Sequence, residues 1–356
     1  MEILASDWGH IGPQPSRLYT MKDKESGFRV SISDLGASIV RVTMPDRKGN
    51  ASDVAFGQDS AEELLRQGGH LGATIGRVAG RIADAKFILD GTEHHLSANT
   101  SGGHSLHGGN EGFDRKIWTL KLKKALRQED SAALVFEHAS HDGEEGYPGR
   151  LSVLLTYRAT PMELGWEFIA KTDKPTIVNL TNHSYWNLDG LDSLVDGMQI
   201  RLESSRYMPA DQNRIPTGEI KPVVGTPLDL RVQKSFSRIF SEYGDVDDIF
   251  LLDGFGRKTK PEGMFYAGEL SSPDTGRRME IYTTEPCLVV YTGNSMGSLK
   301  SFGKACRKHS AVCLEDQRPP NAINDPHFSE TVILRPDETY YHRTLLRFRI
   351  GDRGAA

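Results

Sequence analysis

Cysteine is scarce in this chain of 356 residues: Cys287, Cys306 and Cys313 are the only three, and none belongs to a CxxC pair. So small and odd a set excludes a disulfide framework and implies reduced, packed thiols in a cytoplasmic protein. Long apolar runs are missing as well. No segment approaches the ~20 apolar residues of a membrane span, and the opening MEILASDWGHIGPQPSR lacks the charged start and apolar run of an export signal. Neither sign of charge dominates, because 43 basic and 48 acidic residues are interspersed for a net charge of −5. A nucleic-acid or membrane-surface partner is therefore not expected, and a small molecule is. Helical periodicity is also rare. There is no fixed repeat, no low-complexity tract, and neither a P-loop nor a dinucleotide fingerprint.

What the chain has instead is alternation punctuated by 36 glycines and 17 prolines. FRVSISDLGASIVRVTM (28–44) reads as two strands around an Asp34-Leu35-Gly36 turn. KFILDGTEHHL (86–96) has the Asp-Gly signature of a two-residue hairpin. Further strand patterns occur at 117–122, 132–137, 151–157, 165–170, 198–202, 279–283, 287–293, 311–315, 331–334 and 340–348, and HDGEEGYPG (141–149) reads as a surface loop. One short helix is predicted at 60–67, where Ser60 and Glu63 have capping-box spacing and Gly68 suits the stop. The pattern predicts an all-β fold, a large antiparallel sandwich or barrel with few short helices, forming one domain over residues 1–356 with no linker.

Chemistry-bearing residues gather where these strands end. NLTNHSYWNLDG (179–190) is too polar for a core strand, and its His183 follows the apolar run Thr176, Ile177, Val178. Alone, such a histidine is as compatible with a structural role as with a chemical one. IGRVAGRIADAKF carries Arg77 and Arg81, which surface carboxylates alone would explain. SGGHSLHGGNEGF embeds His104 and His107 in glycine; a zinc reading needs a further ligand, and no HExxH pattern supplies it. DVDDIFLLD (245–253) leads carboxylates into a strand, as an acidic turn would. In AVCLEDQRPPNAIND, Glu315 ends an apolar strand, a costly place for a carboxylate unless it is paired or used. Moving a proton onto one oxygen of a sugar while removing it from another needs a carboxylate base, an imidazole acid and a ring of hydroxyl-binding groups. Glu315 and His183 can supply the pair, and Arg81, His107 and Asp247 the ring.

At this point the segments GRVAGRI, SLHGGNEGFDRKIW, DGEEGYPG, NLTNHSYWNL, TTEPCLVVYTGN and VCLEDQRPPNA resemble, in order, those of the aldose 1-epimerases, the galactose mutarotases, over about residues 28–348. The resemblance implies a large β-sandwich (the galactose mutarotase-like supersandwich). It also implies interconversion of the α and β anomers of a free aldose, a glucose- or galactose-type hexose, without metal or organic cofactor. It assigns Glu315 as the base at the C1 hydroxyl and His183 as the acid at the ring oxygen. His107 would lie near that oxygen, and Arg81 and Asp247 would hold sugar hydroxyls. These roles call for an ionised glutamate beside a protonated histidine, each charge supporting the other. Asn182, Tyr185 and Trp186 are expected to wall and orient the imidazole.

The chain departs from the family pattern in places. Gly80 stands where asparagine is common, Asp248 where histidine usually follows the aspartate, and Trp186 where phenylalanine is usual. Glu285, at a variable position, is a candidate sugar ligand. These leave the preferred aldose open but keep the acid and base in place. Three alternative functions are a glycoside hydrolase using Glu315 and Asp247, a non-catalytic carbohydrate-binding module, and an epimerase for a phosphorylated or sulfonated sugar with Arg77 as the extra cation. The expected partner is a monosaccharide alone, acting on a monomer or homodimer.

Overall fold

The computed structural model describes residues 1–126, 130–256 and 263–351. It is a β-sandwich built on three antiparallel sheets. Five strands from the N-terminal region, Glu2–Ile11, Gln14–Lys22, Arg29–Ser33, Ile39–Pro45 and Ala51–Asp53, pair in sequence order. A nine-stranded sheet includes the hairpin Leu151–Thr160 and Glu163–Thr172, with Tyr340–Ile350 beside it. A six-stranded sheet places Val312–Gln317 between Tyr185–Trp186 and Cys287–Tyr291, followed by Asp247–Leu251, Arg206–Met208 and the edge strand Lys221–Pro222.

Period-2 side-chain alternation explains how these sheets share one core. In Leu151–Thr160 the odd positions Leu151, Val153, Leu155, Tyr157 and Ala159 are fully buried in a cluster that also receives Phe168, Leu188, Phe250 and Trp186. Val312–Gln317 is buried along its whole length because both of its faces are covered. Val312 and Leu314 enter the main core, whereas Cys313, Glu315 and Gln317 turn to the opposite face. The register Ile249↔Val289↔Glu315 and Asp247↔Tyr291↔Cys313 sets these side chains in rows on that second face.

Most strands lie where alternation predicts them, and the hairpin Lys86–Leu89 with Thr92–His95 turns through Asp90 (φ 48°) and Gly91 (φ 79°). The helix Ala61–Gln67 forms with Ser60 as N-cap, its hydroxyl accepting the Glu63 N–H at 3.3 Å. Two further helices, Phe236–Glu242 and Ser329–Val332, went unpredicted. The second overturns part of the strand expected at 331–334, of which only Ile333–Leu334 is extended. The first two strands, Glu2–Ile11 and Gln14–Lys22, were also unforeseen: they form a largely exposed hairpin, so their side chains carry little apolar alternation. No described helix is long and apolar enough to cross a membrane.

Candidate active site

A cavity of about 420 Å³ opens over the second face of the six-stranded sheet, within the size range of small-molecule sites. Its wall includes Arg81, His107, His183, Asp247 and Glu315, which are 234 positions apart at the extremes and converge only through the fold.

His183 is held by its backbone between two strand pairings. Thr181–Asn182 pairs with Thr74–Ile75, and Tyr185–Trp186 pairs with the strand of Glu315. Between them the His183 N–H donates to the Ala73 carbonyl (2.9 Å) and the Gly72 N–H donates to the His183 carbonyl (3.0 Å). Asn182 braces the same segment by donating to the Gly72 carbonyl at 2.8 Å. Tyr185 stacks on the imidazole at 5.0 Å between centroids. Trp186 does not wall the cavity: one residue further along the strand, it faces the core and packs on Phe348.

His183 Nε2 lies 3.4 Å from Glu315 Oε1. Both groups are almost fully buried, and burial decides their charge. Burial first, then the negative charges of Asp247 and Asp316, push the Glu315 carboxyl up to about 8, against a lowering by Arg81. Burial, then the neighbouring His70, push the His183 imidazole down to about 3. The expected ionised glutamate beside a protonated histidine is thus not the resting form that burial favours. Burial favours a proton on the carboxyl and a neutral imidazole. The two descriptions hold the same proton count and differ only by its transfer between the two groups.

His107 adopts φ 52° and exchanges two hydrogen bonds with Gly80: its N–H donates to the Gly80 carbonyl (3.0 Å), and its Nδ1 accepts the Gly80 N–H (3.2 Å). Since Nδ1 is the acceptor, neutral His107 carries its proton on Nε2. Glycine suits both neighbours. A Cβ on Gly108 would lie 1.8 Å from the Gly76 carbonyl oxygen, and one on Gly80 would lie 2.7 Å from Pro320. Gly80 therefore lies too close to the Pro320 ring to carry a side chain without a shift of that ring. Burial, then His70, His183 and Arg81, lower the His107 pKa well below the ordinary value.

Arg81 stands in a short strand opposite Leu106; burial works against its charge and Asp247 supports it. Asp247 lies 3.6 Å from Arg214, and burial raises its pKa against the pull of Arg214 and Arg81. Asp248 belongs to the other face of the strand, where it accepts from Tyr243 Oη at 3.0 Å, so the two adjacent acids do not compete for one site.

Two expected ligands lie elsewhere. Glu285 is not among the cavity-lining residues; its buried carboxylate accepts from Arg318 Nη1 at 2.8 Å. Arg77 is buried and donates to the carbonyls of Ser140, His141 and Pro148 and to Ser140 Oγ. A guanidinium consumed by backbone carbonyls is not a cation for a sugar phosphate. Lining residues that were missed include His70, Arg214, Tyr291 and Gln317. His70 had a usable signal, since it is glycine-flanked like His107, and its Nδ1 is 2.9 Å from Asp114.

His107, His183 and Glu315 offer ligand atoms within 4.8 Å of one another, a spacing that a metal ion could bridge. The surroundings fit that role poorly. A metal-bound histidine donates its other N–H to an acceptor, whereas His107 Nδ1 accepts a hydrogen bond and His183 Nδ1 has no partner. The set is better suited to holding a proton and a hydroxyl group.

Comparison with known proteins agrees with this geometry. Residues 17–347 match the Aldose 1-epimerase family. The chain is 41% identical to the galactose mutarotase of Sus scrofa over 328 residues, covering 91% of this chain and 92% of that one. It is 34% identical to the aldose 1-epimerase of Escherichia coli strain K12 over 342 residues, covering 94% and 96%. A crystal structure of an aldose epimerase homologue from C. elegans superposes with a TM-score of 0.84 at 27% identity, over 93% of this chain and 98% of that one. The chain therefore belongs to the aldose 1-epimerase family.

Proposed function

We propose that this isomerase interconverts the α and β anomers of a free hexose of the glucose or galactose type, with Glu315 as base and His183 as acid. The observation that carries the roles is the 3.4 Å approach of the two groups inside a cavity rimmed by hydrogen-bonding residues. Transfer of the shared proton from Glu315 to His183 produces the working pair. Glu315 then removes the C1 hydroxyl proton while His183 protonates the ring oxygen, and the bond between C1 and that oxygen breaks. The open aldehyde rotates about C1–C2 and recloses on its other face, with both transfers reversed. Protons balance over the cycle, and no cofactor takes part.

His107 presents Nε2–H toward the ring-oxygen region, and Arg81 and Asp247 bind hydroxyls. Glycoside hydrolysis would require a second carboxyl acting across the bond from Glu315. The group in contact with Glu315 is an imidazole, and Asp247 is engaged by Arg214. The three buried, unpaired thiols support a reducing, cytoplasmic setting, where the protein acts as a monomer or homodimer. Polarimetry of freshly dissolved α-glucose and α-galactose tests the activity. Catalytic amounts of protein are expected to speed the approach to equilibrium, and a rate equal to that in buffer for both sugars would refute it.

A further inference from the structure

Behind the site, on the core side of the same strand, lies a charged cluster that the proton exchange does not use. Asp316 and His342 are both almost completely buried, and His342 Nε2 lies 2.9 Å from Asp316 Oδ2. The surrounding bonds fix the protons. His342 Nδ1 is 3.1 Å from the Leu180 carbonyl oxygen, which can only accept, so Nδ1 carries a hydrogen. The hydroxyls of Thr283 and Thr344 both donate to Asp316 Oδ2, a set of donors that suits a carboxylate, and Thr344 Oγ1 also lies 3.1 Å from His342 Nε2. With Nδ1–H held by the Leu180 carbonyl and Nε2 facing the carboxylate, His342 is placed to pair with Asp316 as an imidazolium. Burial works to lower the His342 pKa, but the carboxylates of Glu285 and Asp316 outweigh it. Arg318, paired with Glu285, is the other charge close to the cluster.

The pair joins the two carriers of the reacting groups. Asp316 follows Glu315 directly, and Leu180 precedes His183 by three residues. Thr181 Oγ1 donates to the Asp316 carbonyl at 2.9 Å, and Asn179 exchanges two 2.9 Å hydrogen bonds with the backbone of Arg318, tying the same two segments on either side. His342 adds a charged link between them, and it is anchored in a third element, the strand Tyr340–Ile350.

We infer that Asp316 and His342 are positioning residues: their ion pair clamps the strand of Glu315 to the segment of His183 and so sets the separation across which the proton moves. This rests on the acid and base roles proposed above. Neither residue is among those lining the cavity, so their loss acts on the geometry of transfer rather than on hydroxyl binding.

The test is steady-state polarimetry on α-galactose with the full chain carrying Asp316→Asn, His342→Gln, or both. Each single variant is expected to lower kcat by about tenfold or more while KM stays within about twofold, because misplacing a transfer group by a fraction of an ångström penalises the transition state. The double variant is expected to be no worse than the poorer single one, since both break the same link. If Asp316→Asn does not fold, Thr344→Val, which removes one donor to Asp316, carries the same prediction with a severalfold loss of kcat. An active wild type with folded Asp316→Asn retaining kcat within about threefold would overturn the positioning role alone. So would a fall in kcat that only follows the folded fraction. A wild type that accelerates no aldose would overturn the activity and this role with it.

Discussion

Replacing Glu315 with glutamine is expected to make the protein more stable as it makes the enzyme inactive. Burial and the charges of Asp247 and Asp316 raise the Glu315 carboxyl from an ordinary 4.5 to about 8. A folded-state value above the unfolded one means that the folded protein holds this proton more tightly. The stabilisation is therefore complete below about pH 4.5 and is lost as pH rises through about 8. At about 1.4 kcal/mol per pH unit, ionising the carboxyl in place costs at most about 5 kcal/mol by pH 9. Glutamine keeps the shape and cannot ionise, so it removes this slope. Thermal unfolding of wild type and Glu315→Gln across pH 5 to 9 reads the effect directly. The variant's advantage should grow with pH and reach several degrees in Tm at the alkaline end. A difference that does not change with pH, or a variant less stable than wild type at pH 9, would refute the buried, proton-bearing glutamate.

The same values shape catalysis. The kcat/KM profile is expected to be a bell whose acid limb falls near pH 3, as His183 and Glu315 come to hold two protons, and whose alkaline limb falls near pH 8, as they lose the one they share; a flat profile would exclude the two-group mechanism. Arg77→Leu strands buried carbonyls and should cost about 3 kcal/mol or more in denaturant unfolding while leaving the KM of the folded enzyme unchanged; a selective KM effect would return Arg77 to the sugar site. Prolonged chelation with EDTA should leave the rate unaltered, and a loss restored by zinc would show that the His107, His183 and Glu315 trio holds a metal.

Many strands were legible where one face meets the core, because burial forces alternation, as in Leu151–Thr160, although the strand Phe265–Ser271 was missed. The exposed hairpin at the N-terminus escaped for the converse reason. Phe236–Glu242 did carry a helical signal, with Phe236, Ile239 and Phe240 at helical spacing after Ser235, but it spans only about two turns. The site was legible as separate polar segments at strand ends, and resemblance to a family supplied their roles. Facing direction was harder to read. Trp186 and Asp248 sit one residue from cavity-lining neighbours and point the other way, a distinction that depends on register. Charge state was harder still, because it reflects burial by residues remote in sequence. Glu285 and Arg77 look available in sequence and are consumed by Arg318 and by backbone carbonyls once the chain folds.

The central claim is that the buried carboxyl and imidazole exchange the proton that opens the sugar ring. Polarimetric kcat of Glu315→Gln and His183→Asn on α-galactose, alongside sugar binding by the same folded proteins, tests it most directly. Binding is expected to stay within severalfold of wild type and kcat to fall by about two to four orders of magnitude in each variant. Either variant turning over at the wild-type rate would contradict it.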